Sequence, residues 1–153
     1  MVASVALQAK QFNGPKIRYN VMLWPVTDAN FDNESYNTYA NNHFLTKNMM
    51  KWFWDNYTTK ASDRSNILAS PLRASTEQLK GFPPTLIQTA ELDVLRDEGE
   101  AFGRHLDKAG VPVTVTRYSG MIHDYGLLNP LSNEPTVKTA LSQAGSELQK
   151  HLK

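Results

Sequence analysis

The spacing of apolar residues changes several times along the chain. Apolar residues three and four positions apart indicate amphipathic helices, and alternating apolar residues indicate strands. The predicted helices cover residues 2–12, 46–57 and 97–109, with a short one from near Thr76 and a last one from near Pro135. The predicted strands cover residues 16–26, 85–90 and 111–118. Because helices and strands alternate, we expect an α/β fold in which helices flank a parallel sheet.

A polar insertion separates the first two predicted strands. Asp, Asn, Ser and Tyr dominate residues 27–42, and a helix follows that we expect Thr46 to cap. This helix is apolar on nearly all sides, so we expect it to cover another surface. The length of 153 residues suits one domain. We therefore expect a single domain over residues 1–153 with a cap-like insertion at about 28–70.

Composition excludes several classes of function. Sixteen basic and fifteen acidic residues give a net charge of +1, so we expect no nucleic-acid partner. The absence of cysteine rules out thiol nucleophiles, disulfides and cysteine-ligated metals. No apolar run approaches the roughly 18 residues of a membrane span, and the first ten residues do not resemble a signal peptide. We expect a soluble protein without metal or cofactor, and we favour the cytoplasm.

Two loops carry side chains suited to catalysis. In parallel sheets, functional groups lie on the loops that leave the carboxyl ends of strands. One such loop contains Asp93 and the other contains His123, and neighbouring strands would place them side by side. The carboxylate could then orient the imidazole and stabilise its charged form. The plainer alternatives are a loop carboxylate, a histidine satisfied by its surroundings and, for Asp97, a role in the first turn of a helix.

Three stretches of the sequence contain distinctive motifs. They are MLWPVTD at 22–28, PPTLIQTAELDVLRDEG at 83–99, and GVPV with YSGMIH between 110 and 123. They resemble, in turn, the strand after the nucleophile elbow, the acid loop, and the last strand with the histidine loop of the hormone-sensitive-lipase-like family of α/β-hydrolases. The resemblance runs from about Val2 to the C-terminus, and it corresponds to the C-terminal half of that fold with part of its helical cap.

This resemblance implies a carboxylic ester hydrolase, an esterase or lipase that acts on a small-molecule ester through a catalytic triad. By motif position, Asp93 would be the triad acid and His123 the general base. The resemblance also implies that aromatic residues of the cap-like insertion line an apolar substrate site. These candidates are Trp52, Phe53, Trp54 and Tyr57.

The chain departs from the family pattern in two loop residues and two motifs. Val94 stands where the family usually has proline, and Asp124 stands where it usually has glycine. The sequence contains no G-x-S-x-G and no His-Gly-Gly segment, which supply the nucleophile and the oxyanion hole. In the family both lie upstream, so we expect the nucleophile a few residues before Met1 and regard the chain as a fragment.

A base without a nucleophile cannot perform covalent acyl transfer, so we expect little or no turnover from the chain alone. We also expect the open edge of strand 16–26 to be covered by a homo-oligomer, by another chain or by the N-terminal half. Two alternatives remain. One is a non-catalytic α/β module that self-associates or binds a small apolar ligand, and the other is a hydrolase in which His123 activates water directly.

Overall fold

The computed structural model describes residues 1–152. Within this range the helices and strands alternate, and short 3₁₀ turns lie at Pro71–Arg73 and Asn129–Leu131. The elements in chain order are α1 (Val2–Gln11), β1 (Asn20–Leu23), α2 (Glu34–Thr38), α3 (Lys47–Tyr57), α4 (Ala61–Ser65), α5 (Thr76–Leu79), β2 (Thr85–Leu92), α6 (Arg96–Lys108), β3 (Val113–Ile122) and α7 (Pro135–His151).

The described strands form one parallel sheet in the order β1-β2-β3. The central strand β2 is buried from Thr85 to Ala90, because it has a neighbour on each side and helices over both faces. This is the α/β arrangement that the alternation of patterns predicts. The strand predicted over 16–26 is shorter at both ends and covers only Asn20–Leu23. It ends there because Trp24 adopts a positive φ of 36° and leaves the strand direction.

The sequence pattern predicts a buried stripe of Leu95, Phe102, Leu106 and Ala109 along the helix α6. The prediction is confirmed, since all four are buried, and Phe102 and Leu106 pack with Ile87 of the sheet. The spacing of apolar residues predicts a buried stripe of Val2, Val5, Ala6 and Ala9 on α1. This is wrong in part, because Val2 and Val5 are exposed while Ala3, Ala6 and Leu7 are buried.

For α7 the pattern predicts a buried stripe of Val137, Leu141, Ala144, Leu148 and Leu152, and this is also wrong in part. Leu141 and Leu152 are exposed, whereas Val137, Ala140 and Ala144 are buried. In both helices an alanine of the predicted stripe is buried as expected, Ala6 in α1 and Ala144 in α7, and only larger residues of the stripe are exposed. Small side chains allow the close approach to the core that the large ones at the edge of the stripe would prevent.

The insertion between β1 and β2 is more helical than its composition indicates. The composition predicts turns over 27–42 and a loop over 58–71, yet α2 lies in the first segment and α4 in the second. Thr46 caps α3 as expected, with its side-chain oxygen accepting from the Met49 N–H. Met50 and Trp54 of α3 pack in a cluster with Tyr36 and with Val94 of the loop after β2. The insertion is thereby attached to the carboxyl edge of the sheet, where the candidate residues lie.

Candidate active site

Asp93 and His123 are each the first residue after a strand of the sheet. Asp93 follows β2 and His123 follows β3, and the last paired residues of these strands are Leu92 and Ile122. Because the two strands are parallel neighbours, their ends meet at one edge. The two side chains are brought together at this edge.

The register between the strands shifts just before their ends, between the pair of Ala90 with Tyr118 and the pair of Leu92 with Ile122. Gly120 lies in the longer segment and has a φ of +73°, which glycine adopts at little cost. Its N–H donates to Glu91 Oε2 at 2.7 Å. This irregularity sets how far β3 advances before His123.

The imidazole and the carboxylate are in direct hydrogen-bond contact. His123 Nδ1 lies 2.8 Å from Asp93 Oδ2, and the Asp93 Oδ1 atom accepts from the Leu95 N–H at 2.9 Å. Asp93 is 1% exposed, whereas 13% of the His123 side chain is exposed. A buried carboxylate that accepts from Nδ1 orients the ring and leaves Nε2 for proton transfer.

Asp124 brings a second carboxylate to the same imidazole. Its Oδ1 atom lies 3.4 Å from His123 Nε2, and its backbone has a positive φ of 60°. That conformation is uncommon for a residue with a side chain, although aspartate tolerates it better than most. Asp124 therefore lies at the nitrogen that would face a nucleophile or a leaving group.

Trp24 was not among the candidates from the sequence, yet its ring lies beside His123. The two ring centroids are 6.1 Å apart in an edge-on arrangement, and the ring also packs edge-on against buried Tyr125 at 4.6 Å. A side chain on Gly126 would approach Trp24 Cη2 to 3.0 Å, so glycine permits this packing. The signal for Trp24 was its position at the carboxyl end of β1.

An apolar groove of about 520 Å³ lies between α1 and α3. Phe53, Trp54 and Tyr57 line it on α3, and Val5 and Val26 are among the residues that complete it. The exposure of Val5 is explained by this groove, which α1 borders. The fourth aromatic candidate, Trp52, is 61% exposed and packs on Phe53 at 5.2 Å without lining the groove.

The fold and the paired side chains are typical of α/β-hydrolases, in which an acid and a histidine follow the later strands of a parallel sheet. A family model described as alpha/beta hydrolase fold matches residues 1–127. The chain therefore belongs to the alpha/beta hydrolase fold family, and the resemblance found in the sequence is confirmed at this level.

Solved structures and curated relatives of the chain include esterases. A thermostable esterase from Pseudomonas putida is 65% identical with a TM-score of 0.98, covering 99% of this chain and 47% of that one. A fungal esterase from Rhizomucor miehei is 43% identical with a TM-score of 0.93, and the match covers 99% of this chain and 46% of that one. An ethyl acetate hydrolase of Pseudomonas putida is 34% identical over 135 residues, which cover 88% of this chain and 41% of that protein. The chain thus spans less than half the length of each of these proteins.

Residues 1–152 lack two features. None of the helices in this range has both the length and the apolar character needed to cross a bilayer. The same residues include no cluster of three or more His, Asp or Glu side chains arranged to hold a metal ion.

Proposed function

We propose that this chain supplies the acid and the base of a serine-type carboxylic ester hydrolase. The observation that carries the proposal is the 2.8 Å contact between Asp93 Oδ2 and His123 Nδ1. In this role Asp93 orients the imidazole, and His123 Nε2 takes the proton of a serine hydroxyl and later gives it to the leaving alcohol. The names of the relatives support an ester as the substrate.

The nucleophile and the oxyanion hole would come from a polypeptide equivalent to the part of the relatives outside the match. The sequence itself contains no G-x-S-x-G, so the chain alone would have little or no turnover. β1 lies at an edge of the sheet formed by residues 1–152, and its outer backbone groups suit pairing with an added strand. Self-association through the same edge is the alternative way to cover it.

We assign the groove between α1 and α3 to the acyl or alcohol part of the substrate. Phe53, Trp54 and Tyr57 would supply its apolar surface, and Trp52 would support Phe53. Residues of about 28–70 would then act as part of a cap within a single domain.

A complementation assay tests the main proposal. The chain is mixed with the separately produced part of the Pseudomonas putida esterase that it does not match, and hydrolysis of p-nitrophenyl acetate is followed. We expect turnover from the mixture and none from either polypeptide alone. His123→Ala should abolish the turnover. His43→Ala is the matched control, because that imidazole contacts Asn41 and Tyr39 instead.

Two results would contradict the proposal. If the two polypeptides form a stable complex without turnover, the Asp93–His123 pair is not serving as acid and base. If the chain alone hydrolyses the ester and loses this activity in His123→Ala, the histidine activates water without a serine.

The groove also favours a second candidate, a non-catalytic module that binds a small apolar ligand. Titration with a fluorescent fatty acid would then give saturable binding that Phe53→Ala weakens and His123→Ala leaves unchanged. Absence of saturable binding would eliminate this candidate.

A further inference from the structure

Gln88 is a fully buried polar residue in the central strand β2, and its side chain lies under α7. The Nε2 atom donates to the Ala140 carbonyl at 2.8 Å and to Gln143 Oε1 at 2.9 Å, both on α7. The Oε1 atom accepts from the Tyr125 hydroxyl at 3.3 Å. The central strand is thereby bonded to the last helix and also to the loop that carries His123.

The direction of these bonds is determined by the Ala140 carbonyl. A carbonyl can only accept, so the amide nitrogen of Gln88 faces α7 and its oxygen faces Tyr125. Burial, together with Tyr118, raises the pKa of Tyr125, so the phenol keeps its proton and donates it to the bond. The bond between the strand and the histidine loop therefore forms in one direction.

His123 lies between two points at which the chain is fixed. Ile122, directly before it, is the last residue of β3 that pairs with β2. Asp124, directly after it, has a φ of 60°, and the chain then returns Tyr125 to the interior, where it is fully buried. The position of the imidazole is therefore set by the end of β3 on one side and by Gln88 on the other.

Gln88 also holds the indole ring beside the imidazole. Its backbone carbonyl accepts from the Trp24 N–H at 2.7 Å, which attaches that residue to β2 just beyond the end of β1. The loop that follows is bonded as well, because Glu98 Oε1 accepts from a backbone N–H four residues further on at 3.1 Å. The ring of Trp24 packs edge-on against both Tyr125 and His123. One residue of the central strand thus fixes the two aromatic side chains next to the histidine.

We propose, resting on the function proposed above, that Gln88 is a positioning residue for the general base and acts through Tyr125 and Trp24. The same strand leads to Asp93 five residues further on, so β2 holds both the acid and the base in register. Without the bond to Tyr125, the histidine loop moves relative to Asp93. A displacement of about 1 Å at a reacting group can lower a rate by roughly a hundredfold.

The first test follows the NMR signal of the His123 Nδ1 proton in variants of the chain. Tyr125→Phe removes the hydroxyl and keeps the ring, and we expect the signal to shift and lose intensity as the contact with the acid loosens. Gln88→Met, which has a similar length without the amide, should have the same effect. Tyr118→Phe is the matched control. Its hydroxyl belongs to the same buried cluster, where it accepts from Gln88 at 3.4 Å and donates to α7 at 2.8 Å.

The control separates a positioning role from a general loss of stability. Tyr118→Phe should lose as much stability in urea as Tyr125→Phe and still keep the native His123 signal. A measurement on the native chain remains decisive if Tyr125→Phe fails to fold, because a buried hydroxyl proton in a hydrogen bond should give its own slowly exchanging NMR signal. Absence of this hydroxyl signal, an unchanged His123 signal in Tyr125→Phe, or an equal change in Tyr118→Phe would overturn the proposal.

The complemented enzyme supplies a kinetic readout. In the mixture with the Pseudomonas putida polypeptide, Tyr125→Phe should lower kcat for p-nitrophenyl acetate by about tenfold and leave KM within about twofold, because the base is displaced while the substrate surface is intact. Tyr118→Phe should change neither constant by more than about twofold. A rise in KM without a fall in kcat for Tyr125→Phe would contradict a role in positioning the base.

The NMR measurements use the chain alone and do not depend on ester hydrolysis. Failure of the complementation assay would therefore refute the proposed function without altering them. A His123 signal that is unaffected by Tyr125→Phe would refute the role of Gln88 and leave the assignment of Asp93 and His123 intact.

Discussion

Replacing Gly103 by alanine tests how closely α6 packs against β3. Gly103 is buried in the middle of α6, and a Cβ atom there would lie 2.3 Å from Val115 Cγ2. An ordinary contact needs at least 3.4 Å, so the valine methyl group would have to retreat by about 1 Å. Val115 is stiff because it is β-branched, and it lies within β3.

Two effects of opposite sign determine the result. Alanine favours a helix over glycine by about 1 kcal/mol, whereas overpacking a well-packed site costs about 1–3 kcal/mol. The net free energy of unfolding of Gly103→Ala should therefore fall by about 0–2 kcal/mol. Gly145→Ala is the matched control, because Gly145 lies in α7 with nothing within 4 Å of its added Cβ. The control should gain about 1 kcal/mol.

Urea unfolding followed by circular dichroism gives both values at one pH. In a Val115→Ala background the obstructing methyl group is absent, so Gly103→Ala should become as favourable as Gly145→Ala. If Gly103→Ala stabilises the native chain as much as the control does, the close packing of α6 on β3 is refuted.

Three other substitutions have defined outcomes. Asp93→Asn removes the charged acceptor of His123 and should lower the free energy of unfolding by about 1–3 kcal/mol. The NMR signal of the His123 Nδ1 proton should shift, and an unchanged signal would contradict the contact between the two side chains. Asp124→Gly relieves a φ of 60° and should raise stability by about 1 kcal/mol in urea unfolding, and a decrease would mean that its contact with Nε2 outweighs the strain. Thr46→Ala removes the N-terminal cap of α3 and should lower the free energy of unfolding by about 1 kcal/mol, which thermal unfolding can measure. An unchanged stability would mean that water replaces the hydrogen bond of Thr46 at no cost.

Local patterns predicted most of the elements but only some of the faces that these elements bury. The stripe of α6 and the cap at Thr46 agree with the structure, because capping and amphipathicity are properties of a few consecutive residues. The predicted faces of α1 and α7 are correct at Ala6 and Ala144, which are buried, and wrong at large residues such as Val5 and Leu141, which are exposed. Small residues pack only if the partner surface approaches closely, and that surface comes from distant parts of the chain.

The candidate site shows the same division. The family motifs in two loops predicted Asp93 and His123 as the acid and the base, and the order of strands and helices predicted a parallel sheet. The placement of Trp24 against His123, and the burial of Glu98 against the loop after β1, depend on contacts across 70 or more residues. Such contacts arise from the stacking of layers in three dimensions. Local residue order carries no information about desolvation at those points, so only the folded chain defines them.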